Sequence, residues 1–172
     1  AAISGGEVHI TNLEEDSLQG DRIILDILEK AGAEVIWQSD GVMVRGNSLH
    51  GVDVDMHSFP DLVPTVAVLG LFCAGSTRLG NVAHLRFKES DRLQAIMENI
   101  SRLQGKAFTE GDNLIIEPQR LKGASLPTYN DHRIAMSFAL AGLRVPGVII
   151  EHPGCANKSY PDFWEHFDLL HN

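Results

Sequence analysis

The chain is 172 residues long, 44% hydrophobic and 22% charged, which is ample for one domain with a substantial core and ordinary for a globular protein. Its net charge of −9 disfavours nonspecific attraction to nucleic acid or anionic lipid, and no apolar run of about 18 residues argues for a membrane span. Two cysteines, Cys73 and Cys155, make no disulfide framework and favour a reducing compartment, and no basic, apolar leader of the signal-peptide kind is seen.

The opening Ala1-Ala2-Ile3-Ser4-Gly5-Gly6 reads as the tail of a helix, and so as part of something larger. Glu7 to Thr11 alternates like a short strand. Gly20-Asp21 precedes Ile23, Ile24, Ile27, Leu28 and Ala31, an apolar stripe at helical spacing that Gly32 could end. Val35 to Trp37 and Val42 to Val44 are strand-like around Asp40-Gly41, a hairpin signal. Asp61 is placed to cap a helix that is apolar almost all round from Val63 to Phe72, with Pro64 in its first turn and Gly75 after its end. Ser76 to Val82 is strand-like.

Ser90 is expected to cap a helix from Asp91 to about Gln104 with Leu93, Ile96, Met97, Ile100 and Leu103 facing inward. Strands at Lys106 to Thr109 and Leu114 to Glu117 flank Gly111-Asp112. Asp131 opens a second buried helix, Ile134 to Leu143. Pro146-Gly147 leads to a strand from Val148 to Glu151, and a last helix covers roughly Pro161 to Leu170.

The order helix, strand, helix, hairpin recurs, which favours α/β layering with mixed rather than wholly parallel sheets. Charged residues echo at a spacing of 70: Asp61 and Asp131, Lys88 and Lys158, Asp21-Arg22 and Asp91-Arg92. A period of this kind points to one supersecondary unit reused about two and a half times. With no linker interrupting it, residues 1–172 read as one domain.

Three stretches concentrate chemistry. Lys88, Glu89 and Arg92 sit at a strand-to-helix junction, where two cations near one helical turn apart and helix-start amides suit an anion. Arg supplies bidentate contacts, Lys a compact charge, and Glu89 is a candidate for proton transfer. The plainer alternative is a solvated helix start with ordinary ion pairs. Arg133, just before an apolar helix, calls for an anionic partner, whereas His132 reads as a satisfied polar residue. Lys158 lies in a loop after a strand, where ligand groups gather in α/β folds, although a surface lysine is the default. Asp61 is a cap first and a proton acceptor second. No nucleophile elbow, P-loop or zinc-protease motif is present. The eight His are scattered, so no metal site is expected.

Leu85-Arg86-Phe87-Lys88-Glu89-Ser90-Asp91-Arg92, Asn130-Asp131-His132-Arg133-Ile134-Ala135-Met136 and Pro153-Gly154-Cys155-Ala156-Asn157-Lys158-Ser159-Tyr160-Pro161 together resemble the 5-enolpyruvylshikimate-3-phosphate (EPSP) synthase family. The resemblance implies most of the C-terminal globular domain of a two-domain enzyme, its N-terminal domain absent. It also implies repeated βαβαββ-like units with mixed sheets around buried helices, an inside-out α/β barrel. The implied activity is cytoplasmic enolpyruvyl transfer from phosphoenolpyruvate to the 5-hydroxyl of shikimate-3-phosphate, in the shikimate pathway to aromatic amino acids, without cofactor.

By motif, Arg92, Arg133 and Lys158 would hold phosphoenolpyruvate, and Lys88 would contact shikimate-3-phosphate. Asp61 would take the hydroxyl proton, and Glu89 would assist at the methylene carbon. His84 stands where some members have an Asn contacting shikimate-3-phosphate. Alternatives are the sister transferase acting on UDP-N-acetylglucosamine, which shares the fold, and a noncatalytic anion-binding module.

Overall fold

In a computed structural model, residues 1–171 are described. The first strand, β1 (Glu7–Thr11), is followed by α1 (Ile23–Lys30) and a tight hairpin of β2 (Glu34–Gln38) and β3 (Gly41–Arg45). Strand β4 (Asp53–Asp55), helix α2 (Val63–Gly70) and strand β5 (Thr77–Gly80) come next. Helix α3 (Arg92–Arg102) then leads into the hairpin β6 (Lys106–Glu110) and β7 (Asn113–Glu117). The remainder is β8 (Ser125–Leu126), α4 (His132–Ala139), β9 (Ile149–Ile150) and α5 (Phe163–Asp168).

The strands form three sheets, ordered β1-β3-β2, β4-β5-β7-β6 and β8-β9. Every pairing within β1-β3-β2 and within β5-β7-β6 is antiparallel, so these triplets share order and sense. By contrast, β4 runs parallel to β5, and β8 to β9. A parallel neighbour needs a crossover, and α2 and α4 supply it. The mixed α/β expectation holds.

Burial follows the sequence pattern. In α2 every residue except Thr65 is buried, as an all-apolar helix requires. Leu93, Ile96 and Ile100 of α3 and Leu103 just after it are at most 3% exposed, each contributing on the order of 1.5–3 kcal/mol by burial. Met97 packs partly buried at the edge of that core. Thr65 in α2 and Ser137 in α4 meet hydroxyl to hydroxyl at 2.9 Å. Gly75 has φ +83° and Gly5 φ +75°, the left-handed conformation that glycine adopts without steric cost. No helix among the described residues is long and apolar enough to cross a membrane.

Several boundaries differ from expectation. Strands β4 and β8 are too short and polar to carry an alternating pattern; in β4 only Val54 is partly covered. The strand expected at Ser76 to Val82 is confined to Thr77–Gly80. The second buried helix changes to a 3-10 helix at Leu140–Leu143. The last α-helix is shorter than expected, continuing as a 3-10 turn at Leu169–His171. The segment before Lys88 and the one ending at Lys158 are 3-10 helices, Ala83–Phe87 and Pro153–Lys158.

Candidate active site

Helices α3 and α4 begin side by side, and the residues at their starts build the site. Asp91, rather than Ser90, caps α3: its Oδ1 accepts the Gln94 N–H at 2.9 Å. The Arg92 amide is turned back onto the Ser90 carbonyl at 2.8 Å. At α4, Asp131 is the cap as expected, its Oδ1 accepting from the amides of Arg133 at 2.9 Å and Ile134 at 3.5 Å. The chain reaches it through Tyr129 and Asn130, both at φ +54°, a left-handed pair that costs local strain. The amides of Gln94, Arg133 and Ile134 are thus satisfied by the two caps.

Asp61 does not cap α2. The chain enters that helix through a 3-10 turn, Pro60–Leu62, with Phe59 in the capping position and no side-chain cap. This leaves the Asp61 carboxylate to two arginines. Oδ1 accepts from Arg92 Nη1 at 2.8 Å, and Oδ2 lies 2.9 Å from Arg133 Nη2.

Arg92 is the hub. Its side chain is 3% exposed, yet it carries a full charge and is hydrogen-bonded on all three nitrogens. Nε donates to Asp131 Oδ2 at 2.7 Å, Nη1 to Asp61, and Nη2 to Glu89 Oε2 at 3.1 Å and Asp131 Oδ1 at 3.4 Å. Such saturation is what a buried guanidinium needs. The Ser90 hydroxyl donates to Asp131 Oδ2 at 3.1 Å. Glu89 extends the network: Oε1 pairs with Lys158 Nζ, and Oε2 stands 3.2 Å from His132 Nδ1. That imidazole nitrogen is buried without an aligned hydrogen bond.

The charges perturb each other's ionisation. Burial acts to raise the Asp61 carboxyl, but the Arg92 hydrogen bond and the charges of Arg133, Arg92 and Lys88 outweigh it and hold it below the usual carboxylate range. Asp131 behaves likewise, burial opposed by Arg92, the Arg133 amide and Ser90. Glu89 is lowered chiefly by its hydrogen bond to Lys158, against a smaller opposing effect of burial. Arg92 is raised, its carboxylate partners outweighing desolvation.

Of the residues singled out in the sequence, Asp61, Glu89, Arg92, Arg133 and Lys158 share this one network. Lys88 is exposed and makes no ion pair among the described residues, but its charge reaches Asp61. It does not face inward with Arg92 as helical spacing suggested, because Arg92 starts the helix while Lys88 precedes it in extended backbone. His84 stands apart from the ion pairs, its Nε2 buried without a hydrogen-bond partner among the described residues and its ring edge-on to His57 at 5.2 Å between centroids. Sequence reasoning missed Ser90 and His132 as members, and it read Asp131 as a cap first. The echo of Asp61 at Asp131 was the available signal.

Glu89, Asp131 and His132 bring potential metal donors within 4.8 Å of one another, the one such group among the described residues. Arg92 Nη2 already contacts both carboxylates, so a divalent cation there would face a guanidinium, and the trio fits a cation poorly. Four cations (Lys88, Arg92, Arg133, Lys158) surround three carboxylates, two of them part-exposed. The arrangement can exchange internal carboxylates for an incoming anion.

A family model described as EPSP synthase (3-phosphoshikimate 1-carboxyvinyltransferase) matches residues 1–167. A 3-phosphoshikimate 1-carboxyvinyltransferase of Syntrophobacter fumaroxidans is 45% identical over 173 residues, covering 99% of this chain and 41% of its own length. One from Edwardsiella ictaluri is 44% identical over 172 residues, covering 99% and 40%. The solved EPSP synthase from Acinetobacter baumannii matches with a TM-score of 0.84 at 26% identity, over 98% of this chain and 43% of that one. The chain thus spans about two fifths of the length of the curated relatives it matches.

Proposed function

The chain belongs to the EPSP synthase family, and from that premise we propose that it forms one wall of an active site for enolpyruvyl transfer from phosphoenolpyruvate to the 5-hydroxyl of shikimate-3-phosphate, with release of phosphate. On this reading residues 1–172 are a single domain, most of the C-terminal globular domain. An N-terminal domain supplies the opposing wall, and the enzyme works in the cytoplasm without a cofactor. The shared order and sense of β1-β3-β2 and β5-β7-β6 support repeated βαβαββ units, closing as an inside-out barrel around α2 and α4.

One observation carries the proposal: Arg92, Arg133 and Lys158, far apart in sequence, converge on Asp61 and Glu89. Phosphoenolpyruvate brings a carboxylate and a phosphate. Arg133 and Lys158, whose side chains are 30% and 64% exposed, pass from Asp61 and Glu89 to those groups, and the buried Arg92 adds its charge to the same anion site. Each carboxylate that loses a cation regains proton affinity. Asp61 then takes the proton of the attacking 5-hydroxyl as its oxygen bonds to C2 of phosphoenolpyruvate, and Glu89, having taken a proton from solvent once Lys158 has left it, delivers that proton to C3. In the second step a C3 proton returns to Glu89, the C2–O bond to phosphate breaks, and the departing phosphate carries away the proton held by Asp61. Lys88, exposed beside Asp61, binds shikimate-3-phosphate, and the unpartnered His84 Nε2 supplies a further contact to it.

The test is complementation. The 172-residue chain alone should show no phosphate release, since donors on the opposing wall and exclusion of water are missing. Mixing with the N-terminal segment of a relative should restore it. Turnover by the chain alone, or a mixture that binds both substrates without turnover, would overturn the proposal.

A further inference from the structure

Asp131 is the one carboxylate of the cluster with no exposed surface: its side chain is 0% exposed, against 40% for Asp61 and 33% for Glu89. It is also the most fully bonded. Oδ1 receives the Arg133 and Ile134 amides, while Oδ2 receives Arg92 Nε at 2.7 Å and the Ser90 hydroxyl at 3.1 Å. A cap needs only the amides, and a counter-ion needs only Arg92. One carboxylate that does both joins the start of α4, and with it the backbone of Arg133, to the guanidinium of α3.

We propose that Asp131 is a positioning residue, the permanent counter-ion that holds Arg92 and the start of α4 in register while Asp61 and Glu89 exchange with the incoming anion. Burial decides the division of labour. An anion arriving from solvent reaches the cations of Asp61 and Glu89, but nothing from solvent reaches Asp131. Were Asp131 neutral, Arg92 would depend wholly on Asp61 and Glu89, and those two would no longer be released for proton transfer. Glu89, His132 and Arg92 are the other charged or titratable groups facing it, and of these three only Arg92 hydrogen-bonds it. The inference rests on the functional reading above.

Asp131→Asn keeps the shape and one amide-accepting oxygen but presents an NH2 group to Arg92 and Ser90. In the 15N-labelled 172-residue chain, with the Arg92 signal assigned through Arg92→Lys, the variant should exchange the Arg92 Nε–H at least about tenfold faster. Its affinity for phosphoenolpyruvate should fall by at least about tenfold. A residue that merely caps α4 predicts a lower Tm with unchanged Nε–H exchange or unchanged affinity, and either result overturns the proposal. Should Asp131→Asn not fold, Ser90→Ala leaves cap and charge intact and should speed exchange and weaken binding by about threefold; no change in either is the overturning result. A complemented wild-type enzyme that binds neither phosphoenolpyruvate nor inorganic phosphate removes the functional reading itself, and the positioning role with it, an outcome distinct from failure in the variants alone.

Discussion

Glu89→Gln should move binding and catalysis in opposite directions. In the structure Glu89 is a competitor for the substrate's cations, pairing with Lys158 through one oxygen and Arg92 through the other. Removing its charge releases Lys158 for an incoming anion and leaves Arg92 with Asp61 and Asp131. The Glu89 and Lys158 side chains are 33% and 64% exposed, and an ion pair so exposed is worth about 0–1 kcal/mol. The gain in phosphoenolpyruvate affinity is therefore at most about fivefold. In the complemented two-part enzyme the same change removes the group proposed to move a proton at C3, which should lower kcat by about 10²–10⁴-fold. Calorimetric titration of the chain with phosphoenolpyruvate reads the first effect, and a phosphate-release assay on the complemented enzyme reads the second. Weaker binding by the variant would refute the view that internal carboxylates stand in for the substrate anion.

Two further outcomes follow from the same network. Arg133→Ala should weaken phosphoenolpyruvate binding by about 1.5–3 kcal/mol, the range for a hydrogen bond to a charged group; an unchanged dissociation constant would take Arg133 out of the site. Asp61, Asp131 and Glu89 are all depressed in the folded chain. Their contribution to stability is complete above the unfolded values near 4, and it is lost as pH falls through the lower folded values. Denaturant midpoints should hold steady down to about pH 5 and fall below about pH 4, less steeply in Asp61→Asn than in the wild type; a wild-type midpoint level to pH 2 would contradict the depressed ionisation.

The sequence made some of this legible for definite reasons. Helices α2 and α3 were readable because a buried helix and an amphipathic one leave different spacings, and the two hairpins because Asp40-Gly41 and Gly111-Asp112 interrupt strand-like runs. Strands β4 and β8 were not readable, since two or three residues carry no period. At the site, the motif residues were found, but their partners were not. The sequence shows Asp131 beside Arg133, yet nothing in spacing reveals that its second oxygen turns to Arg92, 39 positions earlier. Ser90 looked like a cap because Ser commonly caps; Asp91, one residue nearer the helix, took that role and left Ser90 to Asp131. Long-range choices of this kind depend on which helix starts pack together, which local pattern does not encode.

The most direct measurement is a phosphoenolpyruvate titration of the labelled chain that follows the side-chain signals of Arg92, Arg133 and Lys158 in parallel. If the three belong to a single anion site, they shift together along one binding curve. Independent curves, or shifts confined to just one of the three, would contradict the account.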